Sequence, residues 1–240
     1  MALCLAPTLE FANGDDATQF LALIHEIYQF TYQNEEQCSA YCWFRNITDP
    51  RSVQGFEFYD NEDALAVTHR GSAPYKEMRQ FIASLQQADS TLLKFPPLLL
   101  LTPIEGFVDN SNDALHFEHK ACRLRVTTVK LSTSQESSTS TTAQFTASLK
   151  SLAQDLDRTG TGLACHTAAA AVEQSTSGVS TTLHFLFVEC YSSEQDYLAQ
   201  RDQNYLCLIF VRVKLVDKFK ASITVTDCAE GFGFMRSKRY

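Results

Sequence analysis

Phe20, Leu23, Ile24, Ile27 and Phe30 recur three or four residues apart. That is the spacing of one helix face, and it predicts an amphipathic helix over about Ala17 to Gln33. Asn13-Gly14-Asp15-Asp16 just before it reads as a turn and an N-cap. Shorter apolar and aromatic stretches predict strands at Ala2 to Leu9, Ala40 to Asn46, Val53 to Tyr59 and Leu98 to Thr102. Asp49-Pro50 breaks the chain between the second and third, which makes them an antiparallel hairpin. A second helix starts near Glu62, capped by Asp60 or Asn61. Pro74 interrupts it, and helical spacing resumes over Tyr75 to Leu85. The order is β-α-β-β-α-β.

The second half repeats this order. Arg123 to Leu131 alternates as a strand, and Ser132 to Thr142 is a Ser/Thr-rich loop. Phe145, Leu149, Leu152 and Leu156 mark a helix. Leu163 to Val172 and Thr181 to Tyr191 form a hairpin, Ser193 to Tyr205 is a helix, and Val211 to Leu215 and Ala221 to Thr226 are strands. Phrases recur as well. Glu57-Phe58-Tyr59 is echoed as Glu189-Cys190-Tyr191, 132 positions on. Gln19-Phe20 returns as Gln144-Phe145, and Glu105-Gly106-Phe107 as Glu230-Gly231-Phe232, both 125 positions on. Echoes in the same order predict a duplicated unit. The expected domains are residues 1–110, a linker at 111–121 that holds His116 and His119, and residues 122–240.

The expected fold class is α+β, with two tandem ferredoxin-like units. On the hairpin, Cys42, Phe44, Phe56 and Phe58 share one face, and Tyr41, Trp43, Arg45, Glu57 and Tyr59 the other. The Phe-bearing face is assigned to the helices. The polar-aromatic face then looks into a space between two sheets, so the units are expected to pack sheet to sheet as an intramolecular α+β barrel.

Composition narrows the function classes. The net charge of −8 argues against nucleic acid or an anionic membrane as partner. The N-terminus lacks a basic signal-peptide region, and no apolar run is long enough for a membrane span. Eight cysteines without CxxC spacing fit a reduced, cytoplasmic protein with buried thiols. No ligand spacing predicts a metal. Gly231-Phe232-Gly233 is not followed by a helix, so no nucleotide cofactor is expected.

Glu57-Phe58-Tyr59-Asp60-Asn61-Glu62-Asp63-Ala64, then Thr68-His69-Arg70-Gly71-Ser72-Ala73-Pro74-Tyr75, resembles the antibiotic biosynthesis monooxygenase domain. So does the strand Tyr41-Cys42-Trp43-Phe44-Arg45, and the two Gly-Phe closing phrases resemble the ends of tandem fungal versions. The resemblance covers most of the first unit and is weak in the second. It implies a dimeric α+β barrel fold. Some members of that family oxygenate aromatic polyketides without metal or flavin; others degrade haem, oxidise quinols or isomerise.

Aligning the second strands through Cys42 and Cys165 puts His166 opposite Trp43 and Ala168 opposite Arg45, and the echo at 132 positions puts Arg201 opposite His69. The first unit thus keeps Trp43, Arg45, Tyr59 and His69 together, and one working pocket is expected there. His69 is the candidate general base. Arg45 with Tyr59 would hold the oxyanion, and Trp43 would stack on the substrate. Tyr41, Glu57, His166 and Tyr191 would line the site, with His184 nearby. The expected function is cofactor-independent oxygenation of a phenolic or anthrone-like aromatic. The alternatives are a non-redox cyclase, isomerase or decarboxylase, a non-catalytic binding protein, and a haem protein with His69 as axial ligand. A small aromatic substrate is the expected partner, and the chain is expected as a monomer (a pseudo-dimer) or a homodimer.

Overall fold

The computed structural model describes residues 2–95, 98, 100–108, 115–134, 140, 143–144, 147, 165–174, 180–191, 193–199 and 222–236. The elements in chain order are β1 (Leu3–Leu5), β2 (Thr8–Phe11), α1 (Gly14–Asn34), β3 (Cys38–Asn46), β4 (Ser52–Tyr59), a π-helical turn (Ala64–His69), α2 (Ala73–Ala88), β5 (Leu93–Lys94), β6 (Leu100–Val108), β7 (Leu115–Ser134), β8 (Cys165–Gln174), β9 (Ser180–Tyr191) and β10 (Ser222–Met235). The chain divides into two compact units. The first holds residues 1–100, 110–122 and 227–237, and the second holds 101–109, 123–226 and 238–240. Each has an antiparallel sheet, and the fold class is α+β as expected.

In unit 1 the sheet order is β5-β2-β4-β3-β10, with β1 also on β4. Pro7 splits the expected first strand into β1 and β2, and both halves still pair with β4. The Pro7 carbonyl accepts from Gly55 N–H at 2.7 Å. The outer edge of β3 is closed by the last strand of the chain, with Phe232 opposite Trp43 and Phe234 opposite Tyr41. A Cβ at Gly231 or Gly233 would run into the carbonyls of Trp43 and Tyr41. The Gly-Phe-Gly-Phe phrase is therefore a close strand contact. The stretch expected to close unit 1, Leu98 to Thr102, instead leads into β6, which pairs with β8 in unit 2.

Local chemistry sets the helices. The Asn13 side chain accepts from Asp16 N–H at 2.8 Å and starts α1, a cap worth about 1 kcal/mol. The buried face of α1 carries Ala17, Phe20, Leu21, Ile24, Ile27, Tyr28 and Thr31. Pro74 opens α2 instead of interrupting a helix, because Ser72 caps the new helix and proline fits its first turn. Between them, Arg70 N–H bonds the Leu65 carbonyl five residues back. That widened turn brings Ala64, Leu65 and His69 onto one buried side.

The face assignment of the hairpin is reversed. Tyr41, Trp43 and Tyr59 belong to the core with Phe20, Ile24, Ile27, Met78 and Ile82 of the two helices. Phe20 and Trp43 rings meet edge-on at 5.2 Å. The Phe-bearing face is buried on the other side, where Phe44 meets Phe117 at 5.9 Å. Hydrophobicity does not separate two buried faces, and the larger, polar-tipped aromatics took the helix side. His116, expected in a linker, sits in β7. There Phe117 is buried between exposed His116 and Glu118, and His116 Nδ1 lies 2.9 Å from the Tyr28 hydroxyl. The side chain of His119 is outside the described residues.

Unit 2 has the order β6-β8-β9-β7. The helix expected around Phe145 to Leu156, Arg201, and the strand expected at Val211 to Leu215 lie outside the described residues, apart from single positions.

Candidate functional site

Gly55 on β4 faces Trp43 on β3. A Cβ at Gly55 would lie 2.7 Å from Trp43 Cε2 and 2.8 Å from Pro7 Cγ, so only glycine lets the indole lie against the strand. Trp43 Nε1 then donates to Glu57 Oε1 at 3.1 Å. The Tyr59 hydroxyl donates to Glu57 Oε2 at 3.0 Å. Both carboxylate oxygens are thus held. Burial pushes the Glu57 acid above the ordinary carboxyl range; nearby His69, the two donors and Arg70 pull the other way and do not cancel it.

Glu57 and Trp43 open onto a cavity of about 310 Å³ in unit 1. Phe20, Leu65, Tyr75, Met78 and Ile82 supply much of its apolar wall, and Arg70 and Arg79 also line it. Its size is at the low end of small-molecule sites, and the mix of apolar wall and few polar groups is typical of them.

His69 is fully buried behind this wall and does not line the cavity. Its Nδ1 lies 2.8 Å from Glu35 Oε2 and 3.5 Å from Thr31 Oγ1. The rings of Tyr41, Tyr59 and Tyr75 surround it at 5.0, 5.4 and 5.2 Å. Burial, then the charge of Glu57, pushes the Tyr41 and Tyr59 phenols well above their ordinary range. Neither phenol is therefore a base, and that of Tyr59 donates to Glu57. The Cys4 and Cys38 thiols are raised by burial too, which makes them packing residues.

Arg45 is elsewhere. Its guanidinium donates to the Pro50 carbonyl at 2.6 Å and to Thr18 Oγ1 at 2.9 Å, and lies 3.7 Å from Glu230. It ties the hairpin turn to α1 and does not line the cavity. The structure thus brings Trp43, Glu57, Tyr59, Tyr41 and His69 together and leaves Arg45 out. Glu35, Arg70, Tyr75 and Arg79 join them unannounced by the sequence reading.

Unit 2 repeats the local frame with other side chains. Tyr191 donates to Glu189 at 3.1 Å, as Tyr59 does to Glu57. Ser193 Oγ accepts from Asp196 N–H at 3.0 Å, as Asn61 Oδ1 accepts from Ala64 N–H at 2.8 Å, again 132 positions apart. The second-strand register differs from the alignment through Cys42 and Cys165. His166 pairs with Glu189 as Tyr41 pairs with Glu57, and Ala168 pairs with Phe187 as Trp43 pairs with Gly55. The side chain of His166 is outside the described residues. Opposite Glu57 on the first strand is Leu5; opposite Glu189 is Arg125. Arg125 is buried and donates to the Tyr197 hydroxyl at 3.0 Å, with its guanidinium 5.2 Å over that ring.

No family model matches the chain, and no curated protein matches it. Solved structures do. A "putative monooxygenase" of Lactobacillus acidophilus NCFM has a TM-score of 0.68 at 11% identity, over 100% of this chain and 98% of its own. A second protein so described, from Fusobacterium nucleatum, gives 0.64 at 12% identity, over 100% and 97%. An anthrone oxidase-like protein gives 0.52 at 11% identity, over 97% and 92%. The chain shares the α+β fold of these proteins along its length. Among the described residues no three His, Cys, Asp or Glu side chains group as metal ligands, and no helix is long and apolar enough to cross a membrane.

Proposed function

We propose that the unit 1 cavity binds a small phenolic or anthrone-like aromatic and that the protein is a cofactor-independent monooxygenase for it. The observation that carries this reading is Glu57: a buried carboxylate, held by two donors, on the wall of an aromatic cavity. The full-length fold neighbours named as monooxygenases and as anthrone oxidase-like support it.

Glu57 takes a proton from the activated CH₂ of the substrate. The resulting anion is conjugated, and it passes electrons to dioxygen to form a peroxide. The proton returns as the O–O bond breaks, so that CH₂ and O₂ become C=O and water. Burial raises the basicity of Glu57 for the first step. Trp43 packs on the ring system and orients the carboxylate. His69, bonded to Glu35, stands behind Glu57 as a positioning group, a change from its expected role as base. It does not reach the cavity, which also removes it as an axial ligand for haem held there. With both units on a single chain, a monomer or a homodimer is the expected state, and light scattering decides between them.

The test is an oxygen electrode with 1,8-dihydroxyanthrone, against the protein-free rate. The reading expects one O₂ consumed per quinone formed. Conversion of a substrate at the same rate without oxygen would overturn it in favour of a cyclase, isomerase or decarboxylase.

A further inference from the structure

The cavity carries two positive groups that the proposed chemistry does not use. Arg70 follows His69 at the end of the π-helical turn, and Arg79 lies on α2. On that helix Tyr75, Met78, Arg79 and Ile82 stand at i, i+3, i+4 and i+7, one face, and all four line the cavity. Both guanidinium-bearing residues are exposed, whereas Glu57 is buried. The cations are therefore at the mouth and the carboxylate is inside.

Arg70 acts on Glu57 and hydrogen-bonds the Tyr75 phenol, and Arg79 acts on that phenol, so their charge is only partly spent within the protein. The chain has 28 acidic against 20 basic residues, and other arginines find acids: Arg51 with Asp49, Arg45 with Glu230, Arg123 with Glu194. Among the described residues neither Arg70 nor Arg79 is in an ion pair. Glu57 would repel an anion from the interior, while two guanidinium forks suit a carboxylate at the mouth.

We infer that Arg70 and Arg79 form an anion subsite, and that the ligand of the cavity is an aromatic carboxylate, ring inward and carboxylate at the mouth. The inference rests on the reading that this cavity holds an aromatic small molecule. It adds orientation: the carboxylate end fixes which carbon of the ring system reaches Glu57.

Calorimetric titration of the full chain with 2-naphthoate and its neutral isostere 2-naphthamide tests it without any turnover. The expected result is naphthoate bound about tenfold tighter or more at low salt, with the gap closing as salt rises. In Arg70→Gln/Arg79→Gln the two ligands should bind alike, at the native affinity for naphthamide. The single variants should each lose part of the preference, and circular dichroism should show all three folded. Equal affinities in the native protein, no binding of either ligand, or a preference that survives the double variant would overturn the subsite. A naphthoate preference without oxygen uptake on any anthrone keeps this inference and sinks the oxygenase. Uptake on neutral anthrones without a naphthoate preference does the reverse.

Discussion

Glu57 and Glu189 occupy the same place in their units: third from the end of a strand, accepting from the tyrosine that ends it. Their surroundings differ at two points. Across the first strand Glu57 meets Leu5, and Glu189 meets Arg125. Across the second, the pair Trp43/Gly55 becomes Ala168/Phe187, a large-small exchange. In unit 1 an indole lies flat over glycine, its N–H holds the carboxylate, and a cavity opens beside it. In unit 2 a buried guanidinium stands on the strand position facing the carboxylate. On the proposed function, a carboxylate in one fold position is reactive or structural according to its cross-strand neighbours, since desolvation raises basicity and a cation directly across the strand lowers it.

The comparison can be broken at Leu5. Leu5→Arg gives Glu57 the cross-strand neighbour that Glu189 has, and anthrone turnover should fall roughly 10²–10³-fold as the base is neutralised. Unchanged turnover in a folded variant would mean that the cation is not what separates the units. His69→Ala should mainly cost stability, roughly 3–5 kcal/mol in urea unfolding, because it leaves Glu35 buried without its partner. Wild-type stability with lost turnover would restore His69 as the base. Gly55→Ala forces Trp43 or Pro7 to move and should cost about 1–3 kcal/mol, with a shift in the fluorescence of the sole tryptophan. The smallest effect is a pH slope. The folded-state acid of Glu57 is raised, so its contribution is complete below the unfolded value of about 4.3 and is lost as pH rises through the folded value. Stability of Glu57→Gln relative to the native protein should therefore grow with pH above about 4.3. A flat difference would show that Glu57 is not desolvated.

Much of the frame was legible in the sequence because it is written locally. The cap at Asn13, the periodic face from Phe20, the break at Asp49-Pro50 and the Glu-x-Tyr echoes each need only neighbouring residues. The candidate cluster was legible where it lies on one hairpin, as with Tyr41, Trp43, Glu57 and Tyr59. What failed was long-range. The choice of which hairpin face meets the helices depends on packing against both sides, and both sides are buried. Arg45 shares the face of Trp43 but sits near the strand end, where it reaches the turn and Thr18 instead of the cavity. Glu35 sits in a polar run, Asn34-Glu35-Glu36-Gln37, that reads as solvated; only the π-helical turn brings His69 to it. Arg79 could have been found, since it shares a helix face with Tyr75, Met78 and Ile82. Arg125 could not, because nothing in the sequence gives the register that sets it opposite Glu189.

The most direct test sets the two carboxylates side by side: oxygen uptake on 1,8-dihydroxyanthrone by Glu57→Gln and by Glu189→Gln. The account predicts a loss of roughly 10²–10⁴-fold for Glu57→Gln, as for a removed general base, and near-native turnover for Glu189→Gln. Loss of turnover in Glu189→Gln with Glu57→Gln unaffected would place the working site in unit 2 and contradict it.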